Sequence, residues 1–287
     1  MGLNNIFTRS YYMSSLLSQT TFQGAVTVSG AVTLTDHLFC NSLLVTAPGV
    51  LFTNGFGIFC AGLVTNQGII HCDGVNGGNA TALIPGAGGE NSFPGTLPQG
   101  GLGGPGGEGA ENGFPADSGT SFFGRNGGNG GNAAPYTGGS SNVYTKADFI
   151  ANDFVGYAQL FSPYAIINGL VNNLITGGAG GGGASSNAAT NGGGGGAGGN
   201  LLYIASNQIV NTGIIRAKGG NGGNGYDDGS HPSGGGGAGS GGIILLCTNF
   251  LTPGTLTITA GTPGTGYRGG SNGGTGNAGT IIRFNLP

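Results

Sequence analysis

Few side chains in this sequence could do chemistry. Carboxylates stand in or beside glycine-rich stretches at Glu90, Glu108, Glu111, Asp117, Asp227 and Asp228. Hydrolysis of a glycosidic bond needs two carboxyl groups facing each other across it. Of these residues only Asp227 and Asp228 are neighbours, and adjacent residues rarely converge on one bond. His37 and His71 fall in strand-like runs with no Ser or Cys elbow nearby, so neither reads as the base of a nucleophile. The expectation is a protein without catalytic residues, not an enzyme.

The stretch "GGNGYDDGS" at 222–230 matches most of the nonapeptide calcium repeat, which makes Asp227 and Asp228 weak metal candidates. Gly229 takes the place of the large apolar residue, however, and no tandem copy supplies a second half-site. An exposed turn tip running on into His231-Pro232 is the better reading. Cys40, Cys60, Cys72 and Cys247 show no Cys-x-x-Cys spacing, so they read as small buried thiols. Gly-x-Gly-x-x-Gly occurs many times, but no helix of the required kind follows it, and neither lysine follows a glycine as a P-loop requires. No cofactor and no metal are expected.

The elements that would position these residues are unusual in composition. Glycine supplies 70 of 287 residues and proline 12, yet only 6% are charged. A disordered chain of this kind would carry more charge, and here the apolar residues cluster into strand-length runs. With seven basic residues scattered among ten acidic ones, nucleic-acid binding is not expected. No apolar stretch approaches the roughly 20 residues of a membrane span. The N-terminus lacks a signal-peptide pattern, and Ile6 stands where myristoylation wants Ser or Thr, so assembly in the cytosol is expected.

Under the glycine lies a repeat. Residues 39–55, 58–74, 203–219 and 245–261 share an apolar run, a polar break, a second apolar pair, a turn glycine and another strand. The turn glycines are Gly49, Gly68, Gly213 and Gly254, separated by 19, 145 and 41 residues. Cys40, Cys60, Ala205 and Cys247 fall at nearly the same place in each unit. A 19-residue period predicts short parallel rungs of a β-solenoid, with the longer gaps as excursions that leave one corner and return. "GAVTVSGAVTLTDHL" at 24–38 reads as a half-buried strand, and "GTIIRFNLP" at the end as the closing half-rung.

The excursions contain "GGNGGN" at 127–132 and 219–224, a period of three. Polyproline II has three residues per turn, so such a tract puts asparagine on one edge and glycine on two, close enough for neighbouring backbones to bond. The predicted fold is therefore all-β, with parallel solenoid-like rungs, an interleaved glycine-rich polyproline II bundle and little helix. The expected organisation is an attachment segment at 1–21, rungs at 22–74, a glycine-rich arm at 75–141, an aromatic-rich insertion at 142–176, and alternating arms and rungs at 177–287.

The insertion has almost no glycine and carries Tyr144, Phe149, Phe154, Tyr157, Phe161 and Tyr164, and a partly helical hairpin broken at Ser162-Pro163 is expected there. Aromatic loops on a rigid scaffold favour recognition, and a cap or a subunit interface is the competing role. Tyr226 and His231, on their turn tip, are weaker contact candidates. Loop tips at 92–97 and 114–123 join them.

Glycine tracts of this texture, with variable loops between them, resemble the distal tail-fibre adhesins of T-even-like bacteriophages and related glycine-rich virion fibre and surface proteins. The resemblance covers the tracts from about Gly77 onward. It implies a glycine scaffold whose loops bind a host-surface receptor, in a protein displayed on the virion after assembly in the host cytoplasm. On that reading residues 1–21 anchor the chain to other virion or filament proteins through Tyr11, Tyr12, Leu16 and Leu17, and the protein is a homo-oligomer. The alternative is a purely structural capsid, filament or surface-layer subunit without a receptor role.

Overall fold

The computed structural model describes residues 22–91, 93–116, 127–141 and 190–285. Among them there are twelve strands and no helix. The first six are β1 (Gln23–Val28), β2 (Ala31–Thr33), β3 (Leu38–Val45), β4 (Val50–Phe52), β5 (Ile58–Asn66) and β6 (Ile69–His71). The rest are β7 (Leu201–Asn211), β8 (Ile214–Arg216), β9 (Ile243–Cys247), β10 (Phe250–Thr252), β11 (Thr255–Thr257) and β12 (Thr280–Phe284).

Every strand pair is parallel. One sheet runs β1-β3-β5-β7-β9-β12, with β10 also pairing β7, and the other runs β11-β8-β6-β4-β2. Strands alternate between the sheets along the chain, except that β9 and β10 both lie in the larger one, where together they run alongside β7. In the second sheet Val50 lies opposite Ile69, Ile69 opposite Ile214, and Ile214 opposite Thr255, the same offsets of 19, 145 and 41 residues that separate the turn glycines. Those glycines form a column. A Cβ on Gly68 would fall inside 3.0 Å of the Gly49 and Thr46 carbonyl oxygens, and one on Gly213 would meet the Gly68 carbonyl.

The main core lies between the sheets and includes Leu43, Leu51, Ile70, Ile204, Ile215 and Leu246. A second cluster, with Phe59, Leu201, Tyr203, Ile243 and Leu245, covers the other face of the larger sheet. Burial on both faces explains why β9 reads Ile-Ile-Leu-Leu-Cys, without alternation. The segment at 24–38 that reads as half-buried is in fact an edge: β1 is mostly exposed and β2 entirely so.

The expected cysteine alignment needs correction. Cys40 pairs with Cys60 and Cys60 with Ser206, on the inner face. Ala205 and Cys247 instead align with Phe59, on the outer face. The cause is a β-bulge: two residues separate Cys60 from Leu63, but only Asn207 separates Ser206 from Gln208. One extra residue turns every side chain before it to the opposite face. At the bulge a side-chain donor repeats in the last three units. Cys60 Sγ reaches the carbonyls of Asn41 and Leu63, Ser206 Oγ those of Gly62 and Gln208, and Thr248 Oγ1 those of Asn207 and Phe250.

Beyond the strand ends the chain continues as glycine tracts that keep the order of the sheets. Ascending tracts 73–80, 217–225 and 258–265 follow β6, β8 and β11, while descending tracts 190–200, 233–242 and 270–279 lead into β7, β9 and β12. Donors in tract 190–200 rotate with a period of three. Gly192, Gly195 and Gly198 donate to Gly107, Gly104 and Gly101, and Gly193, Gly196 and Gly199 to Gly234, Gly237 and Ser240. Gly194, Ala197 and Asn200 donate to Gly78, Val75 and Cys72. Every N–H from Gly192 to Asn200 is thus satisfied sideways, which a buried backbone without helix or sheet requires.

Candidate functional site

The ascending tracts are joined by asparagines. Asp73, Asn76 and Asn79 accept, through Oδ1, the N–H groups of Lys218, Asn221 and Asn224, each at 2.8 Å. Asn221 and Asn224 in turn accept from Thr262 and Thr265 at 2.8 Å. The carbonyls of Lys218, Asn221 and Asn224 take N–H bonds from Gly74, Gly77 and Ala80. Each Gly-Gly-Asn triplet therefore bonds the next tract through both backbone and side chain. At its base Asp73 also forms an ion pair with Arg216, Nε to Oδ2 at 2.7 Å. Burial raises the Asp73 pKa, but the His71 ring, the Lys218 N–H and the Arg216 charge outweigh it and leave the carboxyl below its ordinary value.

These tracts carry turns to the end of the molecule far from the sheets, where the turns meet. Thr81 forms a tight turn with Ile84: its N–H donates to the Ile84 carbonyl at 2.9 Å, and its hydroxyl oxygen accepts from the Ile84 N–H at 3.2 Å. Asn191 ties that turn to two others. Its Nδ2 donates to the Thr81 carbonyl at 2.8 Å, its backbone bridges Glu108, and its carbonyl accepts the Tyr226 N–H at 3.0 Å. Ser233 bridges Tyr267, and Ser271 donates to the Asn132 carbonyl beside the turn around Tyr136. Hydrogen bonds and bridges thus bring together segments from six separate parts of the chain.

Of the contact candidates read from sequence, Tyr226 and His231 lie in these segments. His231 is fixed by Asp228, whose Oδ2 is 2.6 Å from Nδ1 and whose Oδ1 accepts the Ser230 and His231 N–H groups. The His231 N–H and ring, together with the Ser230 N–H, hold the Asp228 carboxyl down to about 2. Asp227 accepts from Arg268 Nε at 2.8 Å and from the Gly229 N–H at 3.0 Å. Both carboxylates are engaged with protein donors, and no group of three or more His, Cys, Asp or Glu converges among the described residues. Tyr144, Phe149, Phe154, Tyr157, Phe161 and Tyr164 lie outside the described residues, as do Tyr11, Tyr12, Leu16 and Leu17. So do Asp117 and the break at Ser162-Pro163.

Sequence reasoning did not single out Leu83 or Ile84, which are 86% and 61% exposed. It also passed over Tyr136, Tyr267 and Arg268. The usable signal was a short apolar pair after Thr81, between tracts and away from any strand pattern. At the sheet end, His37 is enclosed by the rings of Phe39, Phe56 and Phe59, with centroids 5.6 to 6.3 Å away. Its Nδ1 accepts the Gly57 N–H and its Nε2 lies 3.0 Å from Thr96 Oγ1, while burial lowers its pKa. The ring is thereby held neutral as a structural link. No family model, curated protein or solved structure matches this chain. Among the described residues no helix is long and apolar enough to cross a membrane.

Proposed function

We propose that the chain is a non-enzymatic virion fibre protein, a tail-fibre or capsid-fibre adhesin that contributes to host attachment through its far-end turns. In this reading the two parallel sheets are the faces of a β-solenoid spine, and the glycine tracts are polyproline II strands bundled on it. The three-residue period of the donors supports the second assignment, and the alternation of strands between sheets supports the first.

One observation carries the functional reading: turns from distant parts of the sequence converge at the end away from the sheets. A scaffold that orders glycine at high entropic cost in order to gather exposed turns suits recognition rather than catalysis. Fluorescently labelled protein is expected to adsorb to host cells. Leu83→Ser and Tyr226→Ser, with the fold intact by circular dichroism, should each weaken adsorption about tenfold or more, as contact hot spots do. Undiminished adsorption by both variants would refute attachment through this end. A protein that never adsorbs and is incorporated only within a particle is the structural subunit instead.

A further inference from the structure

The ascending tract 73–80 has a bare side. Gly74, Gly77 and Ala80 donate to the next ascending tract, while Val75 and Gly78 donate to Asn91 Oδ1 and the Ala87 carbonyl. The remaining positions include Asn76 and Asn79, which correspond to Asn221 and Asn224. The N–H groups of Asn221 and Asn224 are capped by asparagine oxygens from the tract before, and their carbonyls accept from its donors. Among the described residues nothing does this for Asn76 or Asn79, whose N–H and carbonyl groups are both unpaired. The preceding repeat unit supplies no tract, because its chain turns back at once through Asn54 and Gly55, with φ of 53° and 79°.

The opposite edge of the same ladder is closed. There Thr262 and Thr265 stand in place of asparagine, Pro263 has no N–H to offer, and Gly266 spends its own on Asn272 Oδ1 at 2.9 Å. Proline at an edge is a common means of stopping further strand addition. The open edge has no such block. It carries apolar exposure instead, with Val75 38% exposed below the free groups and Leu83 and Ile84 above them.

We propose that the open side of residues 73–84 is an interface for a glycine-rich strand of a partner chain, parallel to 73–80, with asparagine at every third position. Its glycine N–H groups would donate to the Asn76 and Asn79 carbonyls, and its asparagine oxygens would accept their N–H groups. The fold already makes this contact twice, between 73–80 and 218–225 and between 218–225 and 259–265, so the new strand extends an existing interface by one layer. The seam leaves little room for side chains: a Cβ on Gly223 would strike the Gly78 carbonyl of the tract before it, and Gly78 holds the same place on the open edge. A free glycine peptide loses much entropy on ordering, so the partner is expected to present its strand already ordered. The contact rests on the Asn76 and Asn79 backbone groups, so it stands whether or not Leu83 at the far end binds a receptor.

Amide exchange by NMR on the full chain tests it, with the synthetic peptide Lys-Gly-Gly-Asn-Gly-Gly-Asn-Gly as probe. In the free protein Asn76 and Asn79 should exchange about tenfold or more faster than Asn221 and Asn224. Excess peptide should slow Asn76 and Asn79 selectively. Asn79→Pro, whose φ suits an extended tract, should abolish the slowing at Asn76. No change at Asn76 and Asn79 under peptide excess overturns the proposal, as does an unaltered response in N79P. A homodimer that N79P dissociates, with no peptide effect, assigns the edge to a second copy and also overturns it.

Discussion

At Gly194 a single hydrogen atom is all the fold has room for. A Cβ there would lie well inside 3.0 Å of the Ala87 carbonyl oxygen, and the backbone facing it is itself fixed by hydrogen bonds on other sides. Gly194→Ala is expected to cost about 3 kcal/mol, measured by denaturant titration. Glycines at open positions, such as Gly24 and Gly30 with nothing within 4 Å, lack this steric demand. His37 makes a different prediction. Its pKa is lowered by burial, so the unfolded chain binds the proton more readily than the folded one. Stability from this residue is complete above the ordinary histidine value of about 6.5 and is lost as pH falls below it. Melting temperature followed from about pH 7 to 5 should decline, and His37→Gln should flatten that decline. The cysteines show where residue type misleads. Cys60 and Ala205 both stand 8 residues before their turn glycines, Gly68 and Gly213, but the bulge in β5 places them on opposite faces. Bulges follow no residue-type rule that a single sequence reveals, so the turn column was legible and the face was not.

The ascending tracts behave as elements without being strands or helices. What defines them is the triplet, because each asparagine supplies the acceptor that a backbone N–H facing outward would otherwise lack. Asn224→Leu removes the acceptor of the Thr265 N–H and should cost about 1 kcal/mol, whereas Asn224→Asp keeps an oxygen in place and should cost less. Thermal melts of the two variants give the order. The period of three was plain in the sequence, since "GGNGGN" repeats it directly. The identity of the partner tracts was not, because the bonds join residues 145 and 41 positions apart and glycine carries no side-chain pattern to match. The turn at Thr81 was missed for a related reason: exposure of Leu83 depends on where the tract ends, and apolar residues alone suggest a core.

Across the whole molecule, sheets and tracts are one frame. The larger sheet pairs β5 with β7 across most of the glycine-rich insertions, and the tracts beyond the strands repeat that order. Few contacts are local, so refolding after dilution from denaturant is expected to be slow, on the order of seconds, and tyrosine and backbone signals should recover together. Separate recovery of sheet and tract signals would mean two folding units. The rotation of donors along tract 190–200 has a last consequence, which concerns how such a molecule can change in length. Adding one residue to a tract would point every later N–H at the wrong neighbour, while adding three would return each to the side it faced before. The tract has, in effect, a reading frame, and growth of the bundle is quantised in triplets.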